Sequence, residues 1–112
     1  MPEPRIYSLR AGSSPAPPDA VYVGRVNHRR SDCPANPWHN PFRCEVESDN
    51  LAYLHSRGWA CAEFEKYAVE RVLREPDWLT PLRGLSLICW CHPKKCHAET
   101  LLRLANLLEV GG

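Results

Sequence analysis

The 112-residue sequence predicts a small single-domain α/β fold, in which a short, mostly parallel sheet is flanked by helices. Three observations predict it. "LSLICWC" at 85–91 is apolar on both of its alternating faces, as central strands covered on two sides are. A helical period at 58–75 separates it from a second strand-like run, "VYVGR" at 21–25, so the two strands are joined by a crossover and pair in parallel. The length supports one modest core and no second one.

The elements follow in order. "RIYSLR" at 5–10 alternates and reads as a strand. "AGSSPAPPDA" at 11–20, with three prolines, reads as a linker or loop. "VYVGR" is β-branched and aromatic and breaks at Gly24, the mark of a buried strand running into a loop. Residues 26–58 are rich in Pro, Asn, Asp, Ser and Arg without a sustained period, and a loop of this length in so small a domain is functional or mobile. In "GWACAEFEKYAVERVLRE", Ala60, Phe64, Ala68 and Val72 form an i, i+4 row that Val69 and Leu73 widen, which predicts an amphipathic helix ended by Pro76. "DWLTPLRG" reads as a turn that packs Trp78, Leu79 and Leu82 onto the core. The last segment, "AETLLRLANLLEV", sets Leu101, Leu104, Ala105 and Leu108 on one stripe of a second helix.

Fourteen Lys and Arg against thirteen Asp and Glu leave a net charge of +1, so no global field selects a nucleic-acid, membrane or acidic partner; a local basic patch is still compatible with that balance. The opening "MPEPRIYSLR" has no signal-peptide pattern and no apolar run is long enough to span a bilayer. The expectation is a soluble cytoplasmic protein without a membrane partner, its cysteines reduced, since three of the six are clustered and no signal sequence accompanies them.

Three of those cysteines fall in "CWCHPKKCHAE" at 89–99. Cys89 and Cys91 sit at the carboxyl end of the predicted central strand, while Cys96 and His97 start the last helix, which is where open α/β sheets place ligands. A thiol at a helix N-terminus beside Lys94 and Lys95 has its thiolate favoured, and His97 or Glu99 could move protons, so Cys91, Cys96, His97 and Glu99 are the catalytic candidates. Zinc is the alternative use, with Cys89, Cys91, Cys96 and His97 as four ligands of suitable type. Residues two apart in a regular strand are roughly 6.6 Å apart, whereas two sulfurs on one zinc lie within about 4.6 Å. The strand would therefore have to bend at Trp90, and Cys91, Cys96, His97 with His92, Cys33 or Cys44 is the easier set. A Cys89–Cys91 disulfide would need distortion. The plainer reading makes Cys89 a small core residue, Cys96–His97 a helix start with a surface imidazole, and Cys33, Cys44 and Cys61 structural. His28, His39 and His55 read as solvated loop residues.

A second constellation lies in the long loop. Arg25 follows a strand end and could fork onto a phosphate or carboxylate. In "NPWHNPF" at 36–42, Trp38 and Phe42 could stack a base, or simply anchor the loop to the core, and Asn40 could read a polar edge or cap a turn. "HRR" at 28–30 is a weak basic signal.

Leu9–Arg10, "VYVGR", "WHNPF", Tyr67, "LRG" at 82–84 and "CWCHPKKCHAE", in this order, resemble an uncharacterised family of phages and bacteria, the domain of unknown function numbered 4326. The resemblance covers nearly the whole chain. It implies Arg25, Asn40, Pro41, Phe42, Tyr67, Cys89, Cys91, Cys96, His97 and Glu99 as family positions, with Arg57 a candidate for the family's arginine before the helix, and His39 standing where the family usually has Gly. It is compatible with a phage-encoded protein, whose place would be the bacterial host cytoplasm, and it implies no settled activity. Arg25, Asn40, Phe42 and Tyr67 are thus the ligand-binding candidates, and three functions compete: binding or processing of a nucleotide or nucleic-acid base in a cleft shared by the loop and the Cys/His cluster; a zinc-stabilised module that grips nucleic acid or a protein; and a non-catalytic phage inhibitor or accessory protein bound to a protein partner.

Overall fold

The computed structural model describes residues 3–90 and 96–110, and the side chains through residue 107. It contains β1 (Ile6–Ser8), β2 (Val21–Tyr22), α1 (Arg57–Arg74), a 3₁₀ turn (Thr80–Leu82), β3 (Leu87–Cys89) and α2 (His97–Val110). The sheet has the order β1-β3-β2 with both pairings parallel, Ile6 and Val21 facing Leu87 from opposite sides. The run read as the central strand is therefore central. The strands are shorter than their apolar stretches, because the ladder leaves each run after two or three residues; the flanking Val23 N–H still donates to the Ile88 carbonyl at 3.0 Å.

Helix α1 starts where Ser56 can cap it: the Ser56 hydroxyl accepts from the Trp59 N–H at 3.0 Å and donates to the Asn50 carbonyl at 2.8 Å. Pro76 stops it, with Arg71 and Arg74 in the last turn where the helix dipole favours cations. Ala60, Phe64 and Ala68 are buried as their spacing predicts. The widening of that stripe goes the other way. Val69 and Leu73 are 43% and 78% exposed, while Cys61 is buried and Tyr67 is half-buried, so the core face turns toward 61 and 67 rather than 69 and 73. The cause is the aromatic loop of residues 36–42, which covers that flank through Phe42 and Trp38.

Trp78, Leu79 and Leu82 close one end of the core, together with Phe64, Leu87, Leu101 and Ala105. Full burial of one such leucine or phenylalanine contributes about 1.5–3 kcal/mol. On α2, Leu101 and Ala105 are fully buried and Leu104 packs at the edge; the side chain of Leu108 lies outside the described part. No helix among the described residues is long and apolar enough to cross a membrane.

Candidate functional site

The segment after β2 is held by its own carbonyls. Those of Val23, Gly24 and Arg25 each meet a side-chain partner: His97 Nε2 at 2.8 Å, Asn36 Nδ2 at 2.8 Å and the Tyr22 hydroxyl at 2.5 Å. Tyr22 must fold back over Gly24 to reach its acceptor. A Cβ at position 24 would lie 2.6 Å from that hydroxyl oxygen, so only glycine admits the arrangement. The "VYVGR" run thereby holds the Arg25 backbone at the end of the sheet with an exposed side chain.

The loop that follows is fastened by reciprocal bonds. Trp38 Nε1 donates to the Trp78 carbonyl at 2.9 Å, and Trp78 Nε1 donates to the Pro37 carbonyl at 3.1 Å. Asn40 accepts from the Phe42 N–H at 2.8 Å and donates to the Ala60 carbonyl at 3.2 Å, pinning the loop to the first turn of α1. Phe42 meets Trp59 and Tyr67 edge-on, with ring centroids 6.0 and 6.2 Å away. Of the two aromatic residues read as base-stacking or anchoring, Trp38 anchors and Phe42 faces a cavity.

That cavity has a volume of about 190 Å³ and lies at the carboxyl ends of β2 and β3. Arg25, Asn40, Phe42, Cys89, Cys96 and His97, singled out from three separate stretches of sequence, all line it. Cys44, Cys61, Trp90 and Arg57 join them. Cys44 and Cys61 lack a spacing partner in the sequence and arrive by tertiary folding alone, whereas Trp90, between two cysteines at a strand end, stands where ligands collect. Arg57 is bound to the preceding loop, its guanidinium 2.9 Å from Asp49 and 3.1 Å from Glu47, with its side chain only 14% exposed.

Tyr67 does not line the cavity. It sits behind Phe42, among Phe64 and Trp78, and its hydroxyl accepts from Arg71 Nη1 at 2.6 Å, so it braces the loop. Glu99, exposed in the first turn of α2, accepts from the Cys96 N–H at 3.2 Å, one half of a capping box. Cys91, His92, Lys94 and Lys95 lie outside the described residues. Among the described residues no group of three or more His, Cys, Asp or Glu side chains is arranged to hold a metal ion.

Cys96 and His97 meet in the lining of the cavity. Both are buried, and Cys96 Sγ lies 3.6 Å from His97 Nδ1. The Val23 carbonyl can only accept, so His97 Nε2 carries the proton and the neutral ring directs its Nδ1 lone pair at the thiol. Burial, and then the neighbouring Arg25 and His39 side chains, push the His97 pKa down to about 4. At neutral pH the imidazole is therefore uncharged, with Nδ1 facing the Cys96 sulfur. A neutral imidazole at this distance can accept a thiol proton, which is the chemistry that a cysteine nucleophile needs. The tautomer is dictated by the Val23 carbonyl just after β2 and needs no neighbouring carboxylate.

No curated protein and no solved structure matches the chain. The family model described as Domain of unknown function (DUF4326) matches residues 7–107, nearly the whole length and every element that builds the cavity, and the chain belongs to that family.

Proposed function

We propose that this protein binds, and through Cys96 and His97 processes, a nucleotide or nucleic-acid base held in the cavity. The observation that carries the reading is the convergence of Arg25, Asn40, Phe42, Cys96 and His97 on one small, partly open pocket at the carboxyl ends of two parallel strands. A cavity of about 150 Å³ accepts a benzene ring, so about 190 Å³ suits one planar ring and leaves sugar and phosphate at the mouth beside Arg25. Phe42 and Ala60 supply apolar walls, and Asn40 keeps one N–H and one carbonyl lone pair beyond its two bonds for the ring's polar edge.

The test is a thermal-shift and calorimetric screen of nucleobases, nucleosides and nucleoside monophosphates on the wild-type chain, Arg25→Ala and Cys96→Ser. A shift that Arg25→Ala removes, coupled to a turnover that Cys96→Ser removes for the same ligand, supports the reading. Unrelated effects of the two substitutions, or no ligand in the screen, would sink it. A zinc-stabilised binding module draws support from one observation. A histidine that donates one ring N–H to a backbone carbonyl and turns its other nitrogen toward a thiol is arranged as metal-bound histidines are. Zinc content per chain, measured with circular dichroism before and after chelation, decides between the two, because only the module needs stoichiometric metal to stay folded.

A further inference from the structure

Arg25 is shared by three adjoining hollows. Besides the cavity it lines a cleft with Arg29, His28 and Trp90, and a second one with Arg43 and His39. Residues 24–44 hold four arginines and one acid, so a net +3 is concentrated on a loop of a chain whose total is +1. That acid, Asp32, is consumed by Arg30 in a two-pronged pair at 2.7 and 2.8 Å. The pairing holds the Arg30 guanidinium 4.8 Å over the Trp90 ring. Among the described residues, neither Arg29 nor Arg43 forms a salt bridge, and both are exposed.

We infer that the ligand is a single-stranded polynucleotide, lying across Arg29, Arg25 and Arg43 with one unpaired base in the cavity. The inference rests on the base-binding reading above and extends it from a monomer to a strand. A free nucleotide needs one cation at the mouth, and Arg25 supplies it. Two further arginines on either side of Arg25 match a chain that brings a phosphate before and after the captured one. Trp90, half-buried between the cavity and one cleft and backed by Arg30, offers the kind of aromatic platform on which a neighbouring base stacks without sequence preference. A duplex cannot deliver a base into a hollow of this size unless the base leaves its stack.

The experiment is fluorescence anisotropy of the full chain with short labelled DNA and RNA single strands, the same sequences as duplexes, and unlabelled mononucleotide as competitor, repeated for the double variant Arg29→Ala/Arg43→Ala. Single strands should bind more tightly than the mononucleotide, with a log–log salt slope of about −2 for three phosphate contacts. The double variant should lose roughly tenfold in strand affinity, and its slope should fall to about −0.7, with mononucleotide competition unchanged. The DNA and RNA arms show which sugar is accepted. Equal affinity for strand and mononucleotide, or a double variant that binds strands as the wild type does, overturns the inference and leaves the base-binding reading standing. Duplexes that bind as tightly as single strands overturn it too. Failure of every nucleotide form to bind overturns both.

Discussion

Acidification should cost this protein stability through His97 in a window set by its burial. The residue is 7% exposed, its Nε2–H is committed to the Val23 carbonyl, and its pKa falls from the ordinary 6.5 to about 4. Between those values the unfolded chain binds a proton that the folded chain refuses, so stability rises with pH across the window. The contribution is complete above about 6.5 and is lost as pH falls toward 4. At about 1.4 kcal/mol per pH unit, the loss approaches 3 kcal/mol, a large share of the stability of a domain this size. The comparison is with His97→Gln, whose amide can still donate to Val23 and does not titrate. Urea unfolding at several pH values from 7 to 4 should show the wild type losing about 3 kcal/mol more than the variant. Carboxylates such as Asp32, which Arg30 holds down to about 2, titrate alike in both proteins and cancel. Parallel stability curves, or a His97 resonance that titrates near 6.5 in the folded protein, would refute the reasoning.

Ser56→Ala removes the cap of α1 and the partner of the Asn50 carbonyl, and should cost about 0.5–2 kcal/mol by chemical denaturation; a neutral result would mean the cap is replaced by water. Gly58→Ala sets a Cβ 2.1 Å from the Asp49 carbonyl oxygen and 2.9 Å from the Leu51 nitrogen, backbone atoms that cannot step aside without moving the loop. It should cost about 1–3 kcal/mol or more, with the Arg57 ion pairs disturbed, measured by the same unfolding curves and by ligand affinity. Leu73→Lys, on a residue 78% exposed, should change stability by less than about 0.5 kcal/mol; a loss of core size would restore the broader apolar stripe that the sequence suggests.

The order and type of the three strands and two helices were legible in the sequence, because those signals are local: alternation in "RIYSLR", β-branching before Gly24, the four-residue row through Phe64, and Pro76 as a stop. It also determined that β3 is central and parallel to its neighbours, since an apolar run reached through a helix has few other places to go. Arg25, Asn40, Phe42, Cys96 and His97 were legible as candidates from residue type and from their position after strands and before a helix. Their meeting in one cavity was decided by tertiary structure. The path of residues 26–56 is fixed by side chain to backbone bonds spanning long stretches of chain, such as Trp38 to Trp78 and Asn40 to Ala60, and no local pattern encodes such partners. The same long-range contacts turned α1 so that Cys61 faces the cavity and Leu73 faces water, and drew Cys44 in. Tyr67 and Glu99 are held by bonds only four and three residues long, to Arg71 and to the Cys96 N–H, so their roles as brace and cap are local. The His97 tautomer belongs with these, because the carbonyl that sets it lies seventy-four residues earlier in the chain. Periodicity records which way one element turns its own faces; which group stands opposite is settled only when the whole core closes.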